Sequence, residues 1–275
     1  MKSKKILAVL LAAAMLFAAG CTKAEEPAEP AEAAGTEDRA AEEAEGSGAG
    51  DAAVEPMADE YGAYNAKAEE AYLAAVQTFA DMGTLPGSDV EIPTEGYGHD
   101  EWDNLYAICD LDEDGKLELL IRVADTIMAS SQENVYTYNE ETGEVEEALV
   151  AFPVCNYYDT HAIESGWSHG TGMETDDFWP FNAFVYDKEN DSYYFYGSVS
   201  QYTLEILTLM EKADEFPADV DEDGNGVVYE IINGDDAPFY ADDAIYQEWR
   251  SGVFGDNAPL DLPWTPIADL VHPNE

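Results

Sequence analysis

"CDLDEDGKLELLI", residues 109–121, sets Asp110, Asp112 and Asp114 at alternate positions, adds Gly115 and Glu118, and runs straight into an apolar stretch. Calcium takes several oxygen ligands at roughly 2.3–2.6 Å, and alternate carboxylates on a tightly curled segment can converge on one such ion. Glycine at the sixth position permits the sharp turn. The seventh contributes only its backbone carbonyl, so Lys116 is admissible there. Three like charges at this spacing repel one another unless a cation intervenes. The competing reading is a turn set by Asp and Gly alone, with no ion. Position twelve is Ile121, not the bidentate Glu of a helical EF-hand, and both flanks, "LYAIC" and "LELLIRVA", are β-rich. The stretch therefore predicts a β-hairpin with an acidic connection.

Outward from it the texture repeats. "NVYTYN" and "EVEEALVAF" flank "EETG", and "NAFVYD" and "SYYFYGSVS" flank "KEND"; "TLEILTLM" and "VVYEIIN" form a further expected pair around "EKADEFPADVDEDGNG". Strand-like runs on both sides of short polar connections signal antiparallel hairpins. "AYNAKAEEAYLAAVQTFADMG", 63–83, instead spaces Tyr64, Ala68, Tyr72, Val76, Phe79 and Met82 as one face of an amphipathic helix ending at Gly83. "FYADDAIYQEWRSG" reads as a short helix near the C-terminal end. The expected fold class is α+β: mostly antiparallel sheet built of successive hairpins, with an N-terminal amphipathic helix and a short C-terminal helix. A loop containing Trp102, expected as an anchor, joins the first helix to the first strand.

The second acidic run, "DVDEDGNGVVYE", places Asp219, Asp221, Asp223, Asn225 and Glu230 at ligand positions. Its eighth and ninth residues, Gly226 and Val227, depart from the EF-hand pattern, and "VVYEII" alternates like a strand. It is a candidate second calcium loop or a plain hairpin loop. Calcium, in a structural role, is the one cofactor expected.

The ends of the chain differ from its middle. Residues 1–20 order three lysines, an apolar run of 14 residues from Ile6 to Ala19, and small residues, the pattern of a secretory signal. The run is shorter than the roughly 20 residues needed to span a bilayer as a helix. Residues 21–60, mainly Ala, Glu, Pro and Gly with no aromatic side chain, read as a disordered acidic tether. Residues 61–275 carry most of the aromatic residues and read as one β-rich domain. There, 47 acidic residues face six basic ones, a formal charge of −41. Such a surface excludes nucleic acid and favours divalent cations and basic partners. Two cysteines of this region, Cys109 and Cys155, could pair or could stay buried thiols.

Two resemblances follow from these motifs. "AAGC", residues 18–21, resembles the lipobox of bacterial lipoproteins, which implies a lipidated Cys21 and a lipid bilayer as partner; Ala18 stands where the family usually has Leu. Two or three acyl chains anchor a protein stably. "DLDEDGKLE" resembles the D-x-D-x-D-G-x-x-D/E loop of FG-GAP-like extracellular repeats. The series from about 100 to 250 is similar to surface lipoproteins of Gram-positive gut bacteria, which implies location and fold more than activity.

Signals for catalysis are sparse. "GWSHG", 166–170, matches G-x-S-x-G, which would make Ser168 a nucleophile if a strand preceded it and a helix followed. His161 and His169 stand eight apart, not at metalloprotease spacing, and His99 and His272 are isolated. Trp167 and Trp179 could stack on a sugar ring or anchor loops. The expectation is an exported, lipid-anchored monomer facing the extracellular or envelope space, serving as a surface binding module for an unknown ligand or envelope protein. The alternatives are an envelope hydrolase of glycan, ester or peptide, and a purely structural envelope protein.

Overall fold

The apolar run that follows the acidic turn is buried on both faces, and that arranges everything else. A computed structural model describes residues 61–93 and 103–271. Cys21, the tether, Trp102, His99 and His272 lie outside them. Leu105–Cys109 (β1) and Glu118–Val123 (β2) form the expected hairpin, and Gln132–Asn139 (β3) and Glu144–Ala151 (β4) extend it as a meander. A short strand from near the C-terminal end, Thr265–Pro266 (β11), pairs with the outer edge of β1, so the sheet runs β11-β1-β2-β3-β4. The second sheet is a strictly sequential meander of Cys155–Tyr157 (β5), Ala162–Gly166 (β6), Phe181–Asp187 (β7), Ser192–Thr203 (β8), Val227–Asn233 (β9) and Phe239–Ala241 (β10). All pairings are antiparallel.

Strand alternation sends successive side chains to opposite faces, and here each face finds a partner. Leu119, Ile121 and Val123 of β2 pack with Tyr136 of β3 against the Gly62–Met82 helix (α1), which offers Ala68, Tyr72, Val76 and Phe79. On the other face, Leu120, Val135 and Leu149 meet Cys155, Tyr157 and Ile163 of the second sheet. The far side of that sheet, through Phe181, Val199, Tyr229 and Ile231, is covered by Tyr246, Val253 and Phe254 of the Asp243–Phe254 helix (α3). The result is four layers: helix, sheet, sheet, helix. A β-rich α+β architecture is thus observed.

Local signals set the helix ends. α1 stops at Gly83, left-handed at φ 68°, whose N–H reaches Phe79 O. Asp242 begins α3 by accepting the Ile245 N–H, the usual role of an N-cap carboxylate.

One expected pairing is corrected. Beyond Thr203, the last residue of β8, "TLEILTLM" does not pair with "VVYEIIN": β8 is the partner of β9, and Leu204–Leu209 is a helix, α2. Its single buried side chain is Leu207, and Thr208 Oγ1 donates to Leu204 O one turn back, at 2.6 Å. One buried position in six residues leaves no alternating apolar face for a sheet to use. Cys109 and Cys155 are free thiols, and burial pushes the Cys109 pKa up to about 12. Among the described residues no helix is long and apolar enough to cross a membrane.

Candidate functional site

The connection between β1 and β2 curls through two left-handed residues, Glu113 at φ 58° and Gly115 at φ 91°. A Cβ on Gly115 would meet the Tyr61 ring at 2.7 Å, so space as well as dihedral selects glycine. Helix α1 holds the loop from outside. Asn65 Nδ2 donates to Gly115 O at 2.9 Å, Asn65 Oδ1 accepts the Leu117 N–H at 3.1 Å, and the Tyr72 hydroxyl donates to Leu117 O at 2.8 Å.

Inside the loop, Asp110, Asp112 and Glu118 bring carboxylate oxygens within 4.8 Å of one another. Oxygens sharing one calcium ion stand at most roughly 5 Å apart, so the three fit a single cation. Asp112 and Glu118 are buried. Glu118 Oε2 accepts the Leu111 N–H at 2.7 Å, yet burial, reinforced by the Asp112, Asp114 and Asp110 charges, pushes its pKa to about 9. Burial also raises that of Asp112. A cation at this point would supply the positive charge that a proton otherwise supplies.

The five expected ligand positions do not behave alike. Asp110, Asp112 and Glu118 converge, whereas Asp114 turns to Lys116, accepting its N–H at 2.7 Å and pairing with Nζ at 2.8 Å. Two neighbours of the loop escaped the sequence reading. Tyr186, from the end of β7, stands near Asp112 and donates to Asp191 at 2.7 Å. They come from another sheet, and no spacing along the chain marks them.

The second acidic run is arranged differently. Asn225 donates its N–H to Asp223 Oδ1 at 2.9 Å and its side-chain amide to Asp243 at 3.0 Å, while Asp221 accepts the Gly226 N–H at 3.1 Å. Glu230 sits in β9 opposite Ser200 and Tyr240 and faces Tyr202. Asp219 is exposed. Among the described residues, Asp110, Asp112 and Glu118 are the one carboxylate group close enough to share an ion.

A separate feature opens beside β6. A cleft of about 640 Å³ is lined by Met128, Phe152, Val154, Gly166, Trp167 and Trp179, among others. Trp179 is 56% exposed, and Met128 and Val154 are also open to solvent. Both indole N–H groups are committed, Trp167 to Asn182 Oδ1 at 2.9 Å and Trp179 to Trp167 O at 2.7 Å. Hydroxyls in the wall are engaged too: Thr126 donates to Pro93 O and Ser131 to Ile127 O. The cleft therefore offers ring faces and aliphatic surface.

Ser168 lies on its rim, its hydroxyl 2.9 Å from His169 Nδ1. The strand expected before a nucleophile elbow is present as β6, but a bend and an irregular loop follow where the helix would stand. His161, at φ 59°, occupies the turn before β6. Comparison with protein-family models, with curated proteins and with solved structures returns no match for this chain.

Proposed function

We propose that the chain is an exported lipoprotein, anchored through Cys21, whose domain serves as a surface binding module with its ligand seated in the Trp167–Trp179 cleft. The observation that carries this reading is the exposed apolar wall of that cleft, where Met128, Val154 and Trp179 gather around one concavity. Exposed apolar concavities of this kind mark binding sites. With the indole N–H groups turned inward, the ligand presents an apolar or flat ring face, as the C–H face of a sugar or an apolar peptide side chain does. Calcium, held by Asp110, Asp112 and Glu118, plays a structural part and pins the β1–β2 hairpin beside α1.

The signal-like order of residues 1–20 and the "AAGC" ending support the anchor. A hydrolase is the weaker reading, because among the described residues Ser168 contacts only its sequence neighbour His169 as a base, and the helix that an elbow needs does not follow it. The test is an array of oligosaccharides and peptides probed with the mature chain and with Trp179→Ala. Hits that vanish in the variant support the cleft; hits indifferent to it, or no hits at all, sink this reading.

A further inference from the structure

Strand β4 is the open edge of the first sheet, and its sequence, "EVEEALVA", exposes Glu144, Glu146 and Glu147. Beside it, between the strand and the loop after α1, lies a second cleft of about 710 Å³, lined by Pro86, Ser88, Gln132, Tyr136 and the 144–147 segment. It shares no lining residue with the tryptophan cleft. Tyr136 is fully buried, yet among the described residues its hydroxyl has no hydrogen-bond partner. Buried polar groups are paired in the great majority of cases, because an unpaired one costs about 1–3 kcal/mol.

We infer that this edge is a docking site for an extended basic peptide, which adds to β4 as a further strand and places a Lys or Arg side chain in the cleft against Tyr136 and Glu147. Three observations converge. An edge strand carries a row of outward N–H and C=O groups, the template for strand addition. The glutamates make that template selective: a second copy of this acidic strand is repelled, while a cationic one is attracted. Tyr136 lines the cleft directly opposite Glu147 in the β3–β4 register, and its partnerless hydroxyl offers an oxygen acceptor that suits an ammonium or guanidinium donor. Glu146 already accepts a hydrogen bond from Asn139 at 2.7 Å, so Glu144 and Glu147 are the carboxylates left for the partner. The overall formal charge of −49 favours encounter with basic segments generally. The unpaired hydroxyl, by contrast, is local to this cleft.

The experiment measures binding of a capped peptide alternating Lys and Val to the mature chain, with a Glu–Val peptide and an N-methylated Lys–Val peptide as comparators. The Lys–Val peptide is expected to bind and the Glu–Val peptide not. Blocking alternate backbone N–H groups should abolish binding, since strand addition needs them. Tyr136→Phe, which removes only the hydroxyl, should weaken binding roughly fivefold, the loss of about one hydrogen bond. Glu147→Gln, at an exposed position that the fold does not need, should weaken it comparably. Undiminished binding by Tyr136→Phe with an intact fold, or by the N-methylated peptide, overturns the proposal and leaves only non-specific charge attraction. If Tyr136→Phe fails to fold, Glu147→Gln and the methylated peptide decide the matter alone.

Discussion

Between the two sheets sits an ion pair, Arg122 and Glu133, in which both carboxylate oxygens of Glu133 are hydrogen-bonded. Glu133 accepts from Arg122 Nε at 2.6 Å and from a second guanidinium nitrogen at 3.2 Å, from the Tyr157 hydroxyl at 2.7 Å and from the Cys155 N–H at 3.2 Å. The Arg122 guanidinium also lies 4.3 Å from the Trp264 ring centroid. Removing one partner of such a pair strands the other charge away from water, which costs about 3–5 kcal/mol. Glu133→Ala should therefore lower the unfolding free energy in urea by that amount, and Tyr157→Phe by about 1–2 kcal/mol. A Glu133→Ala loss below that of Tyr157→Phe would mean that the charges are solvated after all. Glu174 illustrates the opposite shift. Burial raises its pKa, but hydrogen bonds from the backbone and hydroxyl of Thr171 and from the Gly172 N–H outweigh it, and the net direction is down. A carboxyl lowered on folding contributes stability above its unfolded pKa and loses it as pH falls through the folded one. Melts between neutral pH and pH 3 should show a shallower acid decline for Glu174→Gln than for the parent. Neither residue was legible in sequence. Glu133 faces Arg122 only through the β2–β3 register, and Glu174 closes a loop on itself.

At the level of elements, legibility followed alternation and length. The hairpins around "DEDG", "EETG" and "KEND" were readable because long strands with one or two covered faces write their burial pattern into the sequence. β5 and β6 were not, since strands of three and five residues on either side of a turn, with polar residues among them, hold too few alternations to rise above loop texture. "TLEILTLM" misled for the converse reason: a short apolar run does not distinguish strand from helix. The acidic loop was readable as a turn, and three of the carboxylates named in it lie within 4.8 Å of one another, whereas its brace from α1 was not readable, because Asn65 acts across 50 residues. Asn65→Ala should leave Gly115 O and the Leu117 N–H unpaired and cost about 1–3 kcal/mol, seen as a lower urea midpoint. Calcium makes a second prediction here. Chelator should lower the melting temperature of the parent and leave Asp112→Ala unmoved; a parent indifferent to chelator would retire the metal reading.

Over the whole molecule the excess of carboxylates makes each cation count. Lys67, Lys116, Arg122, Lys212 and Arg250 all stand within 4.0 Å of an acidic partner. Arg250 joins α3 to β6 through Glu164 at 2.6 Å, as Arg122 joins two strands of the first sheet through Glu133. Composition announced this scarcity of positive charge but not where the few cations would be spent. The layer order was equally out of reach, because sequential hairpins say which strands are neighbours within a sheet and nothing about which sheet faces which helix.

The placement of β11 has a consequence for how the protein comes into being. It pairs Thr265 and Pro266 with β1, and Ile267 beside it is buried in the same cluster as α1. The layer begun first along the chain is thus sealed by a segment that follows the whole second sheet. A nascent chain that has finished its second sheet still carries a bare margin on its first. Loss of a few residues near 265 would be felt in a core assembled about 160 positions earlier.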